Sequence, residues 1–411
     1  FMSQNFITGL DIGTSSLKAV IGEIKNDGQL SVVKILKTPS GGMRKGSIDD
    51  LSEMTRALNI IFSEIKKVSK NAVKNIFLSV GGADIHTQSS KGIIAVSRAD
   101  YEINQDDVDR AVQASQAINL SSPNRMVLHA ITREFVVDGI GDIRDPLGMI
   151  GNRLEVNSLI IDVFTPSVKN LTKCVEMAGA TIGGLIFSPL ASARAVLSKN
   201  QKDLGVVLVD IGFGTTSMCV YEEGKLIHAA IFPVGSGNIT NDLAIGLKTS
   251  VDAAEAVKLT FGSASSKGIS GRENVDLKKI DSNSRSNTTR RIISEIIEVR
   301  LAEIFEFVNN ELKIIGRAGK LPVGAVLTGG GSKIPGLIDL VKDELDLPAQ
   351  IAIPDISSIE MPTGELSLQI EDPEFVCATG LILWGKDRLL GSGAGDGTAS
   401  WIKRFFKNLL P

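Results

Sequence analysis

The feature that most constrains this chain is a repeated strand, turn and strand, whose two copies carry matching aspartates 199 residues apart, Asp11 and Asp210. In the first, an apolar run from Phe6 ends on Asp11 and is followed by Gly13, Thr14, Ser15 and Ser16, then by a second apolar run from Leu17 to Ile24. In the second, Val206 to Ile211 ends on Asp210, and Gly212, Phe213, Gly214, Thr215 and Thr216 lead into Ser217 to Tyr221. Each copy then turns again, at Asn26-Asp27-Gly28 and at Glu223-Gly224, into a third apolar run. A repeat of this length is too long for a solenoid and predicts two related domains with a cleft between them.

The rest of the chain fills in an α/β pattern. Helical periodicity marks 50–68, 167–178, 188–198, 239–246, 251–259 and 291–315. Apolar strands are expected at Ile76 to Val80, Leu159 to Phe164, Ile182 to Phe187 and Val323 to Leu327. A more polar block at 84–162, with a helix at 104–118 and a strand around 126–137, is large enough for a small inserted domain. Residues 262–290, rich in Ser, Gly, Asn and charge, read as an exposed hairpin or mobile loop. The chain of 411 residues is long enough for two to four domains of roughly 100–200 residues.

The placement of glycine indicates chemistry. There are 41 glycines, concentrated in the two turns, in Gly329-Gly330-Gly331-Ser332 after a third strand, and near the C-terminus. A carboxylate at a strand end beside backbone amides and short hydroxyls suits a metal-bound polyphosphate. The amides and hydroxyls bind phosphate oxygens, and Asp11 and Asp210 hold Mg²⁺ through its waters. Lys18 stands within reach of a β- or γ-phosphate. The pattern is neither GxGxxG nor GxxxxGK[ST], which argues against a Rossmann dinucleotide site and a Walker-type loop.

Other residue types exclude further classes. Three widely spaced cysteines (Cys174, Cys219 and Cys377) without CxxC predict core packing in a reducing, cytoplasmic compartment. His86, His129 and His228 lack metal-ligand spacing, and Asp106, Asp107 and Asp109 read as a solvated helix start. The net charge of −3 and the lack of aromatics among the basic residues give no nucleic-acid groove.

The C-terminus follows a different pattern. Residues 391–400 form a glycine-rich tether. On a helical wheel of the segment after it, Trp401, Ile402, Phe405, Phe406, Leu409 and Leu410 share one half and Lys403, Arg404, Lys407 and Asn408 the other. Eleven residues cannot span a bilayer that needs about 20. Three cations without an acid suit an anionic leaflet, at about 1 kcal/mol each near the surface. Docking into a partner groove is the alternative.

In order and separation, the Asp11 loop with Lys18, the Asp210 loop and the Thr328-Gly-Gly-Gly-Ser332 element resemble the phosphate-1, phosphate-2 and adenosine motifs of the actin, chaperone-ATPase and sugar-kinase superfamily. Within it, the chain is similar to the bacterial cell division family FtsA, on four supports: Gly235-Ser-Gly-Asn-Ile-Thr-Asn-Asp242, Gly81-Gly-Ala-Asp84, Ser188-Pro-Leu-Ala-Ser-Ala193 and the basic aromatic tail. The resemblance implies an actin-like two-lobed α/β fold of duplicated ribonuclease H-like domains. Its expected parts are a subdomain 1A from 1–83, 163–200 and 365–390, an inserted subdomain 1C at 84–162, 2A from 201–250 and 322–364, and 2B at 251–321. It also implies ATP and Mg²⁺ as cofactors, protofilament assembly on the cytoplasmic face of the membrane at the division site, and tethering of FtsZ through its C-terminal tail. Later division proteins would be recruited through the inserted subdomain. A shape-determining or partition-type filament and a small-molecule kinase are the alternatives within the superfamily.

Carried over by residue, the resemblance assigns nucleotide contacts to Asp11, Gly13, Thr14, Ser15, Lys18, Asp210, Gly212, Gly214, Thr215, Thr216, Gly235, Asn238, Gly329, Gly330, Gly331 and Ser332. Glu255 and Lys258 match a pair that borders the adenosine, or form a surface ion pair three residues apart. Ser188 stands where several relatives carry a water-orienting glutamate. A serine is a poor general base without a partner, so binding should outlast hydrolysis and any turnover should be slow or linked to assembly. Helix capping is the alternative role for Ser188.

Overall fold

The computed structural model describes residues 5–118, 120, 122–282 and 287–390. Two sheets carry the repeat. The first is ordered Ile182–Phe187, Ile76–Val80, Asn5–Ile12, Ser16–Ile24, Leu30–Pro39, Ile359–Glu360. The second is ordered Lys225–Phe232, Thr216–Glu222, Val206–Ile211, Gly324–Thr328, Ala349–Ile351. In each, a three-stranded antiparallel meander continues through its first strand into parallel partners. The internal repeat is therefore a repeat of topology.

Alternation along the strand Val206–Ile211 explains how the lobes share a core. Val206 and Leu208 pack into the apolar cluster of the first lobe, and Val207, Val209 and Ile211 into that of the second. The layer between the sheets contains the helices Ser188–Val196 and Val376–Leu390. Gly380 allows them to touch, since a Cβ there would stand 1.8 Å from the Ala191 carbonyl oxygen. Trp384 closes the contact by donating Nε1–H to the Leu190 carbonyl at 3.3 Å. On the outer face, Asp50 caps the helix Leu51–Val68 by accepting from the Ser52 and Glu53 amides, and Met54, Leu58, Ile61, Phe62 and Ile65 form its buried stripe.

The inserted subdomain is a four-stranded antiparallel sheet, ordered His86–Ala95, Arg153–Phe164, Arg125–Val137, Ile140–Ile143, with the helix Gln105–Gln116 packed on it. This corrects the expectation that Leu159 to Phe164 is a strand of the main α/β layers. The strand begins at Arg153 and serves two cores: Leu154 and Val156 belong to the small one, and Leu159, Ile161 and Val163 to that of the first lobe. Asp107 is also corrected, being fully buried in a reciprocal capping box with Asn104.

The chain returns to the first lobe earlier than the expected 365. Ile359 pairs with Leu30, and Lys25 forms an ion pair with Glu360, so the crossing lies within 352–358. Part of 262–290 forms a short hairpin of Asn274–Asp276 and Asn287–Thr289, anchored by Val275 and Leu277 in the second core. The tether and amphipathic segment at 391–411 lie outside the described residues.

Candidate nucleotide site

Both copies of the turn are closed by the same hydrogen bond. Gly13 N–H donates to the Ser16 carbonyl at 3.2 Å, and Gly212 N–H to the Thr215 carbonyl at 2.9 Å. Glycine is required for the same reason in each, because a Cβ would stand 2.8 Å from Ser16 O or 2.9 Å from Thr215 O. The turns face one another across a cleft of about 500 Å³ between the lobes. They also touch, the Cβ position of Gly214 lying 2.4 Å from Thr14 Oγ1, and a separate first-lobe loop approaches the second turn, the Cβ position of Gly46 lying 3.2 Å from Thr215 Cγ2.

Asp11 and Asp210 reach the same cleft from the ends of the equivalent strands. Asp11 Oδ1 accepts from Ser79 Oγ at 2.8 Å, and Lys18, its register partner, stands 3.8 Å from Oδ2. The residue paired with Asp210 is Ser217, which brings no compensating charge. Burial, and then the negative charge of Asp11, push the Asp210 carboxyl up to about 6, while Lys18 and a hydrogen bond from Ser192 Oγ at 3.1 Å work in the other direction. Two carboxylates with one lysine leave an acidic site that favours a hard cation with oxygen ligands. Among the described residues there is no group of three or more His, Cys, Asp or Glu able to hold a metal ion. The residues present fit a hydrated hard cation such as Mg²⁺, which Asp11 and Asp210 would hold.

The remaining assigned residues divide into two groups. Gly13, Thr14, Ser15, Gly212, Gly214, Thr215, Glu255, Lys258, Gly329, Gly330 and Gly331 line the cleft. Thr216, Gly235, Asn238 and Ser332 stand behind the residues that line it. Thr216 and Ser332 are fully buried, and Ser332 Oγ donates to the Gly329 carbonyl at 2.7 Å. Gly235 and Asn238 instead support the second loop. Asn238 Oδ1 accepts from Gly235 N–H at 3.1 Å, while Ser236 and Gly237 donate their N–H groups to the Gly212 and Phe213 carbonyls at 2.9 and 2.8 Å.

Lys258 overturns the surface-pair alternative. Its buried ammonium lies 2.7 Å from Glu255 and donates to Thr240 Oγ1 at 2.9 Å and to the Ser236 carbonyl at 3.2 Å, over the Phe213 ring. In the triple glycine, Gly329 and Gly331 are dictated by the protein itself, since Cβ atoms there would meet Asp210 Oδ1 at 2.3 Å and Ile211 Cγ2 at 2.4 Å. Gly329 is also left-handed, with φ of 83°.

Ser188 lines the cleft beside Gly81, whose Cβ position is 2.4 Å from the Ser188 hydroxyl. It does not cap the helix, which starts at Ser188 after Phe187 and has no side-chain cap. Sequence reasoning missed Ser79, Ser192 and the rim triad of Lys37, Glu374 and Lys333. Burial alone would raise the Glu374 carboxyl, but the two lysines bring it down to about 2. Lys37 and Glu374 belong to the first lobe and Lys333 to the second. The only sequence signal for Ser79 was one hydroxyl in an otherwise apolar strand.

The profile described as cell division protein FtsA matches residues 207–380, and that of the SHS2 domain inserted in FTSA matches residues 82–162. The chain is 35% identical to the cell division protein FtsA of Bacillus subtilis over 92% of this chain and 83% of that one. It is 32% identical to that of Pseudomonas aeruginosa, over 93% and 90%. Among solved structures, the PilM-PilN type IV pilus biogenesis complex superposes with a TM-score of 0.65 at 19% identity, covering 92% of this chain and 98% of that one. MreB5 of Spiroplasma citri bound to ADP superposes with a TM-score of 0.54 at 14% identity, covering 94% and 98%. The matched turns, the inserted SHS2 subdomain and these relatives agree: the chain belongs to the FtsA family of cell division proteins, ATP-binding members of the actin-like fold that bring division components to the FtsZ ring.

Proposed function

We propose that the cleft binds Mg²⁺-ATP, with the Gly13–Ser16 and Gly212–Thr215 turns holding the phosphates, Asp11 and Asp210 holding the hydrated ion and Lys18 reaching a terminal phosphate. The observation that carries this reading is the identical closing hydrogen bond of the two turns, each setting a carboxylate on the same cleft. When bound, the ion offsets phosphate charge. The chain's own residues orient the phosphates, and the buttress formed by Ser236 and Gly237 holds the second loop in place. The ADP bound to MreB5 is consistent with this use of the fold.

Hydrolysis is slow, because the side chain beside Gly81 is a serine where a carboxylate would orient water. Nucleotide binding in turn supports self-association into actin-like protofilaments. The inserted subdomain receives later division proteins, and the FtsZ C-terminal tail is the tethered partner. Residues Trp401, Ile402, Lys403, Arg404, Phe405, Phe406, Lys407, Leu409 and Leu410 attach the chain to the anionic cytoplasmic face of the cell membrane at the division site. A single weak anchor becomes firm when many copies are joined. Among the described residues no helix is long and apolar enough to cross a membrane.

Two measurements test the reading. A fluorescent ATP analogue should bind only weakly when Mg²⁺ is removed or Asp11 is changed to Asn, and equal affinity in all cases would refute the assignment. Co-sedimentation with anionic vesicles should be lost when residues 401–411 are deleted, and undiminished binding would refute the anchor.

A further inference from the structure

The inserted subdomain, which grows from the first lobe, also grips the second. Its target is Lys225–Phe232, the edge strand of the second sheet. Arg133 donates Nε–H to the Leu226 carbonyl at 3.0 Å and a guanidinium Nη2–H to the Ile227 carbonyl. Thr87 Oγ donates to the Ala229 carbonyl at 2.8 Å, and Lys225 reaches back to Asp142 at 2.6 Å. Side-chain donors thus cover carbonyls that an edge strand would otherwise leave to water or to another chain. Ile227 is the extra residue of a β-bulge, since Val220 pairs with His228 and Tyr221 with Leu226. The bulge turns out a carbonyl that Arg133 takes.

The position of this grip matters mechanically. The chain enters the second sheet at Val206, in its central strand, and leaves it after Ile351, at one edge. At the opposite edge, Leu226, Ala229 and Ile231 pack into the first-lobe cluster together with Leu128, Leu159 and Ile161 of the inserted subdomain. Arg133, Thr87 and Lys225 add directional contacts that fix this edge against the subdomain. The same strand runs through Phe232 into Val234 and Gly235, where Ser236 and Gly237 support the second phosphate turn. Movement of this edge is therefore movement of the loop that faces Thr14.

We propose that the inserted subdomain is a strut between the lobes, whose grip on the Leu226–Ala229 edge keeps the two phosphate turns together and slows nucleotide exchange. A ligand of the subdomain that pulls Arg133 away opens the cleft without touching it.

The test uses the full chain. The three native cysteines are buried, so spin labels on cysteines replacing exposed Lys67 of the first lobe and Glu306 of the second report the inter-lobe distance. In Arg133→Ala, and in the milder Thr87→Val, the distance distribution should broaden and lengthen. Arg98→Ala, an inserted-subdomain change that removes only a surface pair with Asp100, should leave it unchanged. Release of a fluorescent ATP analogue should accelerate about fivefold or more in Arg133→Ala, the worth of one hydrogen bond. Unaltered distances and release in folded Thr87→Val and Arg133→Ala would overturn the strut. Only the release measurement rests on the nucleotide reading. The distances are recorded without nucleotide, so a failure of that reading is told apart from a failure of the strut.

Discussion

Phe187 donates its main-chain N–H to Nε2 of His129 at 3.0 Å, joining the residue before Ser188 to a strand of the inserted subdomain. The bond needs a neutral imidazole, and burial lowers the His129 pKa from 6.5 to about 4.

This gives a pH dependence with a defined sign. A histidine whose folded pKa is depressed contributes stability above its unfolded pKa and loses it as pH falls from about 6.5 toward 4. Protonation should therefore remove about 2 kcal/mol by pH 5. Urea titrations between pH 7.5 and 5 should show this loss, and His129→Gln should flatten the slope while being less stable at neutral pH.

Asp210 has the opposite sign. Its carboxyl is raised to about 6 by burial and by Asp11, so the ligand-free fold should lose stability as pH rises from about 4 to 6 and remain level above that. Asp210→Asn should then stabilise the free protein at pH 7, by at most about 3 kcal/mol, and abolish the Mg²⁺ dependence of nucleotide binding. For the natural chain, Mg²⁺-nucleotide affinity should fall below pH 6, as the proton competes with the ion. Thermal melts and binding isotherms at several pH values check both.

Gly235→Ala should injure the site without touching the ligand. Its Cβ would stand 2.6 Å from Gly212 O and 2.7 Å from Phe213 O, both main-chain atoms with no rotamer to give way. Displacing the second turn should weaken nucleotide binding at least about tenfold, at an overpacking cost of about 1–3 kcal/mol. Isothermal titration and denaturation together separate the two effects.

Ser188→Glu should accelerate phosphate release with little change in nucleotide affinity, because the side chain enters the cleft beside Gly81. Single-turnover measurements on anionic vesicles compare the two. A natural chain already as fast as the variant would show that another group orients the water.

Much of this architecture could be read locally. The runs Ile76–Val80, Ile182–Phe187 and Val206–Ile211 coincide with the strands observed, because each is a continuous apolar segment buried on both faces. What escaped depends on contacts between distant segments. Ser192 acquires its role from Asp210 and Glu374 from lysines in both lobes, and neither is marked by its sequence neighbours. Strand parity sets Thr216 apart from the lining residues. Ser217 pairs with Asp210 and shares its face toward the cleft, so the residue before it points into the core. The early return at Ile359 escaped because a two-residue strand has no detectable period.

The strand Arg153–Phe164 carries one hydrophobic core at its start and another at its end. Excised at 84–162, the subdomain would leave Leu159 and Ile161 without the first-lobe neighbours they pack against. During synthesis the small core can close once this strand emerges, whereas the first-lobe core also waits for the helix Val376–Leu390, so the second half of the strand stays uncovered until much later. Fusions or transplants intended to exchange the inserted module therefore need their seam after Phe164 and must keep the apolar second half of the strand.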